Sequence, residues 1–221
     1  MWTFIGNGPD GESNIFYEID KSAGKDVPMR ILDKFKGIVG SDSAGCWNYV
    51  GTEYQKCLLH YFRDMYRTTK DNESSEFSLL FMKLHDILKD AIDTKGYESE
   101  DIVESLKYRV QCLISKEYTD EDCKRYVKRL RRESDSLFTF LMNDVEYHNN
   151  VSERALRKFA TYRQILYGNK TENGARRTKI IMSIHATCEQ RGVDFGQLLQ
   201  DCLSGKAKSI PPRAKPLPAI A

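Results

Sequence analysis

The 221-residue sequence predicts a mixed α/β fold of the α+β kind: a small sheet region interrupted by a large all-helical block. Three observations predict it. Strand-like patterning is confined to the first sixty residues. From about 73 to 147 apolar residues recur at helical spacing. Helical spacing returns after 148, ahead of a Pro-containing tail.

The elements follow in order. Trp2-Thr3-Phe4-Ile5-Gly6 is aromatic and β-branched and runs into Asn7-Gly8-Pro9-Asp10-Gly11, a turn cluster, so it reads as a strand. Asn14 to Asp20 reads as its hairpin partner. Pro28 stands where a helix starts, and Ile31, Leu32 and Phe35 continue that helix to Lys36-Gly37. Ile38-Val39-Gly40-Ser41-Asp42 is a short apolar run ending in an acid, the pattern of a buried central strand. Tyr54 to His60 reads as a further strand that leads into a helix containing Phe62, Met65 and Tyr66.

The helical block has three segments. Phe77, Leu80, Phe81, Leu84, Ile87, Leu88 and Ile92 form the first amphipathic stripe, and Ile102, Leu106, Val110 and Leu113 the second. Asp120 to Leu141 forms the third, with Tyr126, Leu130, Leu137 and Leu141 on one side. Residues 151–168 and the stretch around Ile180, Ile181 and Ile184 are helical again, and Pro211, Pro212, Pro216 and Pro218 mark a disordered tail. The chain therefore divides into sheet-bearing residues 1–72, the helical block 73–147, helices at 148–203 and a tail at 204–221.

Composition excludes several classes. With 40% hydrophobic and 30% charged residues the chain can bury a core, which a disordered chain cannot. No apolar run approaches the roughly 18–20 residues of a membrane span. The start lacks a basic segment followed by an apolar one, so a soluble, cytoplasmic protein is expected. The six cysteines are scattered and read as reduced thiols. The net charge of +2 hides an asymmetry, because residues 151–221 hold 13 basic and 5 acidic side chains. A basic end on an acidic body suits either a local polyanion contact or a solvated face.

Few residues carry chemistry on their own evidence. Asp42 at the C-terminal end of a strand stands where α/β proteins hold ligands, and equally where an Asp caps the next turn. Asn150 followed by Glu153 is a capping-box pattern, so Glu153 reads either as a cap partner or as a functional carboxylate. Cys57 and His60 make half of a zinc site with no second half. Lys124, Arg125, Lys128, Arg129, Arg131 and Arg132 wrap around more than one helix face among acidic neighbours, which favours a solvated surface over a DNA tract.

The order of these pieces adds a further reading. Val39-Gly40-Ser41-Asp42, then Gln55-x-Cys57-x-x-His60-x-x-Arg63, then Asn149-Asn150-x-x-Glu153-Arg154-Ala155-Leu156-Arg157 resembles transposases of the insertion-sequence 66 family. The match extends through Tyr167-Gly168, Gly174-Ala175 and Ser183-Ile184-x-x-Thr187 to Gly192. The resemblance implies a ribonuclease-H-like core, incomplete at the N-terminus, with a helical insertion before its last catalytic helix. It implies three carboxylates that hold two Mg²⁺ or Mn²⁺ ions for DNA strand cleavage and transfer, a chemistry that needs both the attacking and the leaving oxygen stabilised. Asp42 takes the second of the three positions and Glu153 the third, and Arg154, Arg157 and Arg163 would meet DNA phosphates.

The first Asp of the family pattern would precede Met1, as would the family's N-terminal DNA-binding region. Asp20 does not replace it, because its strand would lie about 10 Å away at the usual strand spacing. The expectation is therefore the C-terminal part of a DDE-type transposase, inactive alone, working on transposon ends and pairing with itself or with a full-length transposase. The alternative is a non-catalytic DNA-binding or regulatory remnant.

Overall fold

A computed structural model describes residues 1–8, 11–51, 53–97, 99–165 and 168–212. In chain order the strands and α-helices are β1 (Trp2–Asn7), β2 (Ser13–Glu18), α1 (Asp26–Ile31), β3 (Ile38–Ser41), β4 (Glu53–Lys56), α2 (Leu58–Asp71) and α3 (Ser75–Asp93). They continue with α4 (Glu100–Ile114), α5 (Glu121–Glu133), α6 (Thr139–Met142), α7 (Asn150–Ile165), α8 (Glu172–Arg191) and α9 (Phe195–Leu203). The chain forms two compact units, residues 1–23 with 150–221, and residues 24–149. Among the described residues no helix is long and apolar enough to cross a membrane.

In the first unit β1 and β2 pair antiparallel, from Trp2 opposite Glu18 to Asn7 opposite Ser13. This is the hairpin that the aromatic and β-branched strand and its turn cluster predict. Pro9 and Asp10, inside the predicted turn, lie outside the described residues. A lone hairpin is marginal in water, and here α8 covers the outer edge of β2 with hydroxyl groups. Ser183 Oγ accepts from the Tyr17 N–H at 2.9 Å. Thr187 Oγ1 accepts from the Ile15 N–H at 3.0 Å and donates to the Ile15 carbonyl at 3.2 Å. An exposed row of strand donors is thereby satisfied without a third strand. The core beneath is small, built on Ile15, Tyr17, Ala155, Phe159 and Ala186. The Tyr17 hydroxyl donates to the Ala155 carbonyl at 2.8 Å, which ties the hairpin to α7. α8 ends at Gly192, whose φ of 68° is the left-handed conformation that glycine accepts without a Cβ clash.

In the second unit β3 and β4 pair parallel, with Ile38 opposite Glu53 and Ser41 opposite Lys56. Gly51 at φ +79° turns the chain between them, and a Cβ there would meet Val39 Cγ2 at 2.8 Å. The helices pack around one continuous core that includes Leu58, Tyr61, Phe77, Leu84, Val110, Leu130 and Leu137. Each long helix of the block has a side-chain cap: Ser74 accepts from the Phe77 N–H, Ser99 from Ile102 and Asp120 from Cys123. Such caps stabilise a helix start by about 1 kcal/mol each.

Four expectations need correction. α1 ends at Ile31 and does not reach Phe35. The Ile38–Ser41 strand is not central: among the described residues it pairs with β4 alone, and its Gly40 is exposed. The predicted strand from Tyr54 to His60 stops at Lys56, and Leu58-Leu59-His60 is already the first turn of α2. The predicted helix from Asp120 to Leu141 breaks after Glu133, because Ser134-Asp135-Ser136 takes a 3-10 turn before the short α6. The predicted tail lies partly outside the described residues, which end at Pro212.

Candidate functional site

Asp42 follows the last residue of β3, at the C-terminal end of the parallel pair, as its position in the sequence suggests. Both of its neighbours are held. The Cys57 N–H donates to the Ser41 carbonyl at 2.9 Å, and the Lys56 ammonium reaches Ser41 Oγ at 3.3 Å and Asn48 Oδ1 at 3.0 Å. On the other side, Arg129 Nη2 donates to Ser43 Oγ. Asp42 Oδ1 accepts from the Ala44 N–H at 3.0 Å, so the carboxylate also shapes its own turn. Lys56 is buried, and that burial lowers its pKa against the opposing pull of Glu133 and Asp42.

The motif residues beside Asp42 are structural at first contact. Gln55 is fully buried: its amide donates to the Leu137 carbonyl at 3.1 Å and its Oε1 accepts from the Phe140 N–H at 2.8 Å. It thus joins β4 to the segment that follows α5. Burial pushes the Cys57 thiol up, but hydrogen bonds from the His60 side chain and the Asn149 N–H outweigh it and leave it below its ordinary value. Arg63 Nε donates to the Leu59 carbonyl within its own helix at 3.4 Å. The zinc reading of Cys57 and His60 gains no further ligand: among the described residues no three His, Cys, Asp or Glu side chains are gathered to hold a metal.

Glu153 belongs to the other unit, on the first turn of α7. Asn150 is itself the first residue of that helix, one place later than an N-cap. Two buried atoms just before it, His148 Nδ1 and Asn149 Oδ1, have no hydrogen-bond partner among the described residues. Glu153 forms an ion pair with Arg157 at 3.7 Å, its side chain 20% exposed. Arg154, Arg157 and Arg163 are on the same helix, and Arg154 borders a cleft of about 240 Å³ also lined by Tyr17, Lys158 and Glu189. Arg154 is exposed, and among the described residues neither it nor Arg163 has an ion-pair partner. Lys158 is paired with Glu189 at 2.5 Å.

Carboxylates are the right hard donors for Mg²⁺, but Asp42 and Glu153 are two, and a two-ion site needs more ligands than they supply. One group that sequence reasoning passed over is the network of buried Tyr61 and Glu133 with partly exposed Arg129 and Asp64. The only signal for it in the sequence is the i, i+4 spacing of Arg129 and Glu133.

The fold and these residues together define a mixed α/β chain with a carboxylate at a strand end, a second on a helix, and exposed arginines following the second. Comparison with known proteins gives its family. The family model described as Transposase IS66 family matches residues 1–177, most of the sequence, and the chain belongs to that family. A curated relative named "Uncharacterized protein y4jO", from Sinorhizobium fredii (strain NBRC 101917 / NGR234), is 33% identical over 95 residues. That stretch is 42% of this chain and 30% of the relative, so the match spans less than a third of the relative's length. No solved structure matches.

Proposed function

We propose that this chain serves DNA transposition as part of a DDE-type transposase, contributing Asp42 and Glu153 to a ribonuclease-H-like active site. The observation that carries the reading is the family match over residues 1–177, which includes both carboxylates and the arginines after the second. Arg154, Arg157 and Arg163 line one helix with Glu153 and suit contact with the phosphates of transposon ends. Mg²⁺ or Mn²⁺, where bound, would stabilise the attacking and leaving oxygens of the phosphodiester. Asp42 and Glu153 fill the second and third of the family's three carboxylate positions, and on this reading the chain works with a second copy or a full-length transposase and does not cleave DNA by itself.

The test is strand cleavage and transfer on plasmid DNA with Mn²⁺ by the purified chain. No product is expected. Product that disappears in Asp42→Ala would show that the chain holds a complete site and would overturn the assignment of an inactive part.

A second reading, a non-catalytic DNA-binding or regulatory protein, is favoured by a separate observation. The segment 151–221 has 13 basic against 5 acidic residues, and exposed Arg154 has no ion-pair partner among the described residues. Inhibition of a full-length transposase by the chain, undiminished in Asp42→Ala, would select this reading.

A further inference from the structure

The basic run of α5 is largely committed inside its own unit. Lys124 pairs with Glu121 at 2.7 Å and Arg125 with Asp122 at 2.7 Å, while Arg131 donates to the Ile114 carbonyl at 2.7 Å. Arg129 is the most enclosed of them, its side chain 15% exposed. Its guanidinium lies 3.9 Å from the centre of the Tyr61 ring. Nη1 meets Asp64 Oδ2 at 2.9 Å, and Nε meets Glu133 Oε2 at 3.3 Å. The Tyr61 hydroxyl donates to the same Glu133 oxygen at 2.5 Å, and Arg132 donates to its other oxygen at 2.6 Å. α2 and α5 thus grip a planar cation from its face and two of its edges.

The remaining edge leaves the helices. Nη2 donates to Ser43 Oγ in the turn after β3, one residue beyond Asp42. A guanidinium suits this task because its donors are fixed in one plane, so anchoring two edges aims the third. A lysine is a point charge and cannot hold Asp64, Glu133 and Ser43 together. The contact also gives the helical block a role, since α3 and α4 pack behind α2 and α5 in the same core.

We propose that Arg129 is a positioning residue for Asp42, transmitting the rigidity of the helical block to the turn that presents the carboxylate. The inference rests on the reading of Asp42 as a functional carboxylate, but its test does not depend on DNA chemistry. Backbone amide exchange is followed in the full chain across residues 42–47. Ser43→Ala removes only the far end of the contact and leaves the Tyr61, Asp64 and Glu133 network in place, so the protein remains folded. Exchange in the 42–47 turn should rise at least tenfold, with rates in α3 and α4 unchanged. Ser43→Thr, which keeps the hydroxyl, should restore the original rates, and Arg129→Lys should raise exchange in the 42–47 turn at least as much while also loosening the contacts to Asp64 and Glu133.

Unchanged exchange in Ser43→Ala, or faster exchange throughout residues 24–149, would overturn the proposal. Failure of Thr to rescue would overturn it as well. Should Asp42→Ala prove neutral in every DNA assay of a complete transposase, the functional reading fails while the exchange result still stands on its own.

Discussion

The 24–149 unit buries a continuous apolar core and closes an ion network inside it, whereas the unit of residues 1–23 and 150–221 rests on a handful of buried side chains and on polar contacts between a hairpin and two helices. The difference is physical in origin. Long capped helices with wide apolar faces bury much area per residue, and area removed from water is the main favourable term in folding. A hairpin can bury one face only, and must also satisfy its edge, which Ser183 and Thr187 do with hydroxyls. Charge divides the same way. On α5 the cations are mostly paired, whereas on α7 exposed Arg154 and Arg163 have no ion-pair partner among the described residues. The contrast is one of degree, since α7 also pairs Arg157 with Glu153 and Lys158 with Glu189.

Substitutions can break this contrast, beginning with the largest expected effect. Phe77 is fully buried in the helical core, and Phe77→Ala should cost about 3–5 kcal/mol in urea unfolding of the 24–149 unit. Equal loss of amide protection in the β1–β2 hairpin would show that the units unfold as one.

Acid acts next on the same unit. Burial pushes the Glu133 carboxyl up, but hydrogen bonds and charge from Arg132, Tyr61 and Arg129 outweigh it and hold it below its ordinary 4.5. The ionised form therefore favours the folded state. That stability is complete above the ordinary value and is lost as pH falls through the lower folded value. Urea midpoints measured down a pH series should fall in that acid range, and Glu133→Gln should flatten the slope.

The smaller unit responds to subtler changes. Thr187→Val leaves the Ile15 N–H without its acceptor, at an expected cost of about 1–3 kcal/mol by thermal or urea unfolding. Tyr17→Phe removes one neutral hydrogen bond to Ala155 and should cost about 1 kcal/mol, with faster exchange at the start of α7 as the local sign.

Much of the larger unit was legible, because α3 and α4 repeat apolar residues at helical spacing and start at Ser74 and Ser99 caps. The break after Glu133 was not, since Leu137 and Leu141 continue the α5 periodicity across it. Periodicity reports faces, and a 3-10 turn of three residues preserves the face. Likewise Leu58-Leu59-His60 is too short an apolar run to separate strand from helix, and the pairing of β3 with β4 alone among the described residues is not encoded in a single strand. At the candidate site, Asp42 was readable at its strand end and Glu153 on its helix. Arg129 was not, because its partners Tyr61 and Asp64 lie more than sixty residues away in sequence and only the fold brings them to it.

The proposed contact of α7 with DNA is tested most directly by DNA affinity as a function of salt. Fluorescence anisotropy on a labelled duplex would compare the chain with an Arg154→Gln, Arg157→Gln, Arg163→Gln variant. Log affinity should fall linearly with log salt, and the slope of the triple variant should be shallower by about 0.9 for each phosphate contact removed, about 3 in all. No retention on DNA at low salt, or an unchanged slope in the triple variant, would contradict that contact.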